Sequence, residues 1–109
     1  MGKKLNFTMD QLLATTTIDA AMFELSEIAN KYGAKWNFNT GEGTEIRYIK
    51  KDSPIVVANL QAIIKAKHSI GKSVNKEKKM LESAMALLRE YIVECPIDEQ
   101  IKILKSVQP

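Results

Sequence analysis

IDAAMFELSEIANKYGAKWNFNTGEGTEIRYIK, residues 18–50, changes its apolar period partway along, and that change decides the fold class. In the first half, Ile18, Ala21, Met22, Leu25, Ile28, Ala29 and Tyr32 recur at steps of three and four. They line one face of an amphipathic helix that opens around Thr17 and stops at Gly33. From Trp36 the period falls to two. Trp36 and Phe38 share one face and Asn37 and Asn39 the other, and after Gly41-Glu42-Gly43 the apolar side resumes at Ile46 and Tyr48. The spacing predicts an antiparallel hairpin over about residues 34–50.

Before this stretch, Thr8-Met9-Asp10-Gln11 has capping-box spacing for a short helix from Met9 to about Ala14, whereas Leu5, Phe7 and Met9 alternate as a strand does. Both readings stand. After it, Ser53-Pro54 marks a helix start with Ser53 as N-cap and Val56, Leu60, Ile63 and Ile64 as the apolar stripe, ending near Gly71. Asn75 caps a further helix in which Leu81, Ala84, Met85, Leu88 and Ile92 line one side, widened by Met80, Leu87 and Tyr91. A face this wide suits a central helix or a subunit contact, which makes Met80, Leu87 and Tyr91 candidate protein-interface residues. Pro96 ends that helix, and Ile97, Ile101 and Leu104 outline a short last one. The expected fold is α+β, mainly α: a small helical domain with one inserted antiparallel β-hairpin, a single domain over residues 1–109.

Composition bounds the function classes. Apolar residues at 45% and charged residues at 27% are globular values, so the chain can bury a core without metal or disulfide staples. Cys95 is the only cysteine, which excludes an intrachain disulfide and gives no sign of an oxidising compartment. Polar residues break the stretch after Lys3-Lys4, so no signal-peptide apolar region is expected, and apolar runs as short as Ile55 to Ala58 or Ala84 to Leu88 cannot span a membrane. Asn6 stands where a myristoylation signal wants Ser or Thr. The expected location is the cytoplasm.

Net charge is only +3, but its distribution is uneven. Between Arg47 and Lys79, nine Lys or Arg face only Asp52 and Glu77, a net +7, while each flank is at −2. Such a block suits a polyanionic partner. If the two middle helices were nearly continuous, Lys65, His68, Lys72, Lys76 and Lys79 would fall at three- and four-residue steps on one side, opposite Val56, Leu60 and Ile63. Lys67 would fall on the apolar side and have to snorkel. With Arg47, Lys50 and Lys51 these residues form the candidate nucleic-acid-binding set. Lysine contacts neutralise phosphates without reading bases, and binding of that kind is salt-dependent and sequence-tolerant. A solvated face that keeps the chain soluble accounts for the same charges equally well. Trp36, Phe38, Ile46 and Tyr48 could stack bases, but a hairpin needs its apolar side covered, which favours packing on the core.

Catalytic sets fail on inventory. His68 and Cys95, 27 positions apart, make neither a metal site nor a thiol triad. Ala66 to Ser73 fits a permissive phosphate-binding loop, yet the segment before it is helical rather than a strand. Leu25 to Gly33 resembles the first half of a helix-turn-helix, but strand-like residues follow where a recognition helix should. Glu77-Lys78-Lys79 contains a nuclease-like Glu-x-Lys without a partner Asp on a preceding strand, and Glu90 and Glu94 are spaced as on a solvated helix. No enzyme, cofactor or metal is expected.

A short helical domain, a small β insertion after the first long helix and a basic middle together resemble the small subunit of type I-A CRISPR interference complexes. The resemblance is one of layout and covers most of the chain. It implies a non-catalytic subunit that lies along a guide–target assembly, touches sister subunits and steadies nucleic-acid backbone. The expected function is therefore a nucleic-acid-associated accessory subunit, with further protein subunits or copies of itself as partners and no membrane. The alternative is a small inhibitor or regulator that acts by protein–protein contact.

Overall fold

Thr8 opens the first helix through a reciprocal cap: its hydroxyl accepts from the Gln11 N–H at 3.1 Å, and the Gln11 side-chain carbonyl accepts from the Thr8 N–H at 3.0 Å. The computed structural model describes residues 8–107; the alternation of Leu5 and Phe7 lies outside them. One continuous helix, α1 (Met9–Lys31), replaces the two segments suggested by periodicity. Thr15, Thr16 and Thr17 do not interrupt it, because their hydroxyls donate to the carbonyls of Gln11, Leu12 and Leu13, each at 2.9 Å. At its end Gly33 takes φ +81°, its N–H donates to Asn30 O and that of Ala34 to Ala29 O. This double bond pattern stops the helix and buries Ala34 beside Ala29.

The hairpin is shorter than its apolar alternation suggests. Strands β1 (Trp36–Asn37) and β2 (Glu42–Gly43) are antiparallel, with Trp36 opposite Gly43 and Asn37 opposite Glu42. The chain reverses at residues 38–41, where Asn37 Oδ1 accepts from the N–H groups of Asn39 and Thr40 and Gly41 takes φ +68°. Gly43 therefore lies in a strand rather than the turn, and Ile46 and Tyr48 join no strand pairing among the described residues. They keep their apolar side by packing half-buried against the core. The apolar alternation is met without a ladder.

A 3₁₀ turn (Lys50–Asp52) leads into α2 (Ser53–Ser69), α3 (Asn75–Ile92) and α4 (Ile97–Ser106). The caps sit one residue earlier than their sequence signals: Asp52 precedes α2 and Val74 precedes α3. Ser53 lies inside its helix, fully buried, and its hydroxyl has no partner. α2 is the centre of the fold. Val56, Val57, Leu60 and Ile63 are all at most 1% exposed, packed between α1 on one side and α3 on the other.

α4 reverses its expected orientation. Ile103 and Val107 join the core, whereas Ile97, Ile101 and Leu104 are 69%, 47% and 61% exposed. A helix this short carries two apolar lines, and periodicity alone does not choose between them.

Candidate nucleic-acid interface

Gly71 decides where the basic residues go. It takes φ +74°, its N–H donates to His68 O at 3.1 Å and that of Lys72 to Lys67 O at 2.9 Å, the bond pair that terminates α2. The chain then folds back, and α3 runs antiparallel along α2: Lys67 pairs with Glu77 close to the turn, while Ala58 and Met85 line one groove farther away. The two helices are not continuous, so the single stripe of Lys65, His68, Lys72, Lys76 and Lys79 does not form. Its members divide into three places.

Lys65 and His68, both exposed, line the groove between α2 and α3. Lys76 serves the hairpin: its ammonium donates to Gly41 O at 3.0 Å and lies 5.7 Å from the Trp36 ring centroid. Lys72 and Lys79 stand exposed at the tip where the chain reverses, and Lys78 joins them. Lys78 and Lys79 fall within the first five residues of α3, about 6 Å along its axis from the start. Lys79 lies opposite the buried line of Glu77, Ala84 and Leu88. Lys78 fell off the three- and four-residue pattern, so periodicity could not have picked it; the turn at Gly71 does.

The remaining candidates lie elsewhere. Lys50 donates to Glu94 at 2.8 Å, and this carboxylate raises the lysine above its ordinary pKa of 10.5. Arg47 and Lys51 are exposed before α2. The buried side of the block holds one more ion pair, Lys67 with Glu77, whose side chains are only 17% and 11% exposed. Lys67 reaches water less than any other base in the block because it fills the position the apolar stripe assigned to it.

These pairings leave a simple charge map. From residue 65 to 79 there are six lysines and one carboxylate. Glu77 is taken by Lys67, so Lys65, Lys72, Lys78 and Lys79 form no ion pair among the described residues. α3 also begins here without a side-chain cap, which adds the positive end of a helix dipole.

The aromatic residues do not make an open stacking face. Trp36, Phe38, Ile46 and Tyr48 are half-buried. Phe38 meets Phe23 edge-on at 5.7 Å, Ser26 donates to Trp36 O at 3.2 Å, and burial pushes the Tyr48 phenol above its ordinary pKa of 10.0. The interface candidates of α3 are also covered in part: Met80, Leu87 and Tyr91 are half-buried, and Met80 and Tyr91 pack on the core. The 3₁₀ turn packs on α3, and Trp36, Ile46 and Tyr48 line one cavity with Met80, neighbours that helical periodicity could not register. Exposed large apolar residues gather instead on the first turns of α1 (Met9, Leu12, Leu13) and along α4 with Val93, while Phe23, Ile49 and Ile55 are exposed elsewhere.

No group of His, Cys, Asp and Glu suited to a metal occurs among the described residues, and no described helix is long and apolar enough to cross a membrane. Set against protein-family models, curated proteins and solved structures, the chain matches none.

Proposed function

We propose that the chain is a non-catalytic, nucleic-acid-associated accessory subunit that holds phosphate backbone at the tip of the α2–α3 hairpin, through Lys72, Lys78 and Lys79. The observation that carries this reading is the charge map: internal pairing consumes the local carboxylate and leaves the exposed lysines unopposed on one end of the molecule. Lysine ammonium groups are point charges without the fork that reads bases. The expected mode is therefore backbone contact, alike on different sequences, as suits a subunit that steadies a nucleic acid chosen by other components. The layout resemblance supports reading it as a subunit of a CRISPR-type interference complex, working in the cytoplasm. A second reading, a protein-binding inhibitor or regulator, is favoured by the exposed apolar line along α4.

Neutralising the tip tests the proposal. Lys72→Gln, Lys78→Gln and Lys79→Gln together are expected to weaken binding to single- and double-stranded DNA and to RNA by at least about tenfold at low salt. The fold should be almost unchanged, since exposed charges contribute little to stability. A control triple, Lys35→Gln, Arg89→Gln and Lys102→Gln, removes the same charge elsewhere from exposed positions. Equal losses in the two triples would reduce the tip to diffuse net charge and overturn the assignment.

A further inference from the structure

We propose that the chain forms a two-fold dimer in which α4 of each copy lies in the groove between α2 and α3 of the other. Two apolar surfaces that stay uncovered among the described residues match in length, character and charge. The groove, about 720 Å³, is floored by Ala58, Ala62, Ile64, Leu81 and Met85. Its small alanines, one turn apart on α2, let another helix approach closely. The other surface is the outer line of α4: Ile97, Ile101 and Leu104 recur at steps of four and three, with Val93 just before them 76% exposed.

Ala58 to His68 spans eleven residues of α2, about 15 Å, and α4 is ten residues long. Charge fixes the direction. Lys65 and His68 stand at the end of the groove nearest the turn, and Asp98 and Glu99 occupy the first turn of α4. Opposite charges meet only if the incoming α4 runs antiparallel to the α2 it rests on. Ser106 of the host copy lines the same groove at its Ala58 end, so the C-terminal ends of the two α4 helices come together near the two-fold axis. An isologous contact of this kind uses each surface twice and leaves neither exposed. A chain cannot fill its own groove in this way. Its α4 is already seated by Ile103 and Val107, with the apolar line facing outward, and only residues 93–96 separate it from α3.

The dimer leaves Lys72, Lys78 and Lys79 at the free tip, so it stands or falls separately from the nucleic-acid reading. Sedimentation equilibrium of the full chain over a series reaching high micromolar concentration should give twice the 12.2 kDa chain mass. Ile101→Glu and, separately, Met85→Glu should each raise the dissociation constant at least about a hundredfold, since each places a carboxylate in the apolar contact. Circular dichroism checks that both variants stay folded, and Ile101→Glu changes a surface side chain only. Lys65→Glu should weaken the dimer several-fold, and adding Asp98→Lys should recover most of that loss. A monomer throughout the series, a dimer untouched by Ile101→Glu, or a charge swap without recovery would each overturn the arrangement.

Discussion

Glu77→Leu is expected to destabilise the fold by about 3–5 kcal/mol, the largest loss for any single polar residue, and adding Lys67→Met should restore most of it. Lys67 comes from the last turn of α2 and Glu77 from the first turn of α3, and both side chains are largely shielded from water. Leucine at 77 leaves an ammonium group buried between two helices with its counter-charge gone. The double variant removes both charges, keeps the volume apolar and joins the adjacent core of Ile63, Ala66 and Ala84. Chemical denaturation of the wild type, both single variants and the double variant closes the cycle. A Glu77→Leu loss under about 1 kcal/mol would show that water reaches the pair, and the charge map of the tip would then need Lys67 as a free cation.

Gly43→Ala should cost about 3 kcal/mol and dismantle the hairpin. A Cβ at this position would sit 2.2 Å from Lys35 O and 2.9 Å from Trp36 Cα. Both are backbone atoms, one in β1 and one in the residue just before it, so no rotamer change relieves the overlap. Gly33 provides the comparison. It has φ +81° but nothing within 4 Å of a Cβ, so Gly33→Ala should cost only the left-handed strain, about 1 kcal/mol. Trp36 is the only tryptophan and lies in β1, so its emission reports the hairpin directly. Gly43→Ala should shift that emission toward the unfolded value, and Gly33→Ala should not. Equal effects from the two substitutions would mean that β1 and β2 do not hold this register.

The helices were legible because their stops are local chemistry. Gly33 and Gly71 end α1 and α2 through positive φ, Pro96 precedes α4, and the Thr8–Gln11 box starts α1. The misreadings share a cause: a periodic pattern says which residues are apolar but not what covers them. Ile46 and Tyr48 alternate as a strand does, yet the 38–41 turn comes too early for them to pair. The α4 line of Ile97, Ile101 and Leu104 looks like a core stripe, yet Ile103 and Val107 are the residues that reach α2. Lys67 was visible as a base on an apolar face, but its partner Glu77 comes near only when Gly71 turns the chain back. That same turn breaks the basic stripe into groove, hairpin and tip, which no helical projection of residues 65–79 could show.

If the α2–α3 tip holds phosphate backbone, binding must depend on salt through its three lysines. Wild-type affinity for a duplex should fall linearly on a double-logarithmic salt plot with a slope of about −2.7, from roughly 0.9 per phosphate contact at Lys72, Lys78 and Lys79. The slope should be the same for unrelated sequences and move close to zero when the three lysines become glutamine. Absence of binding even at low salt, or a slope that the triple substitution leaves unchanged, would contradict the claim.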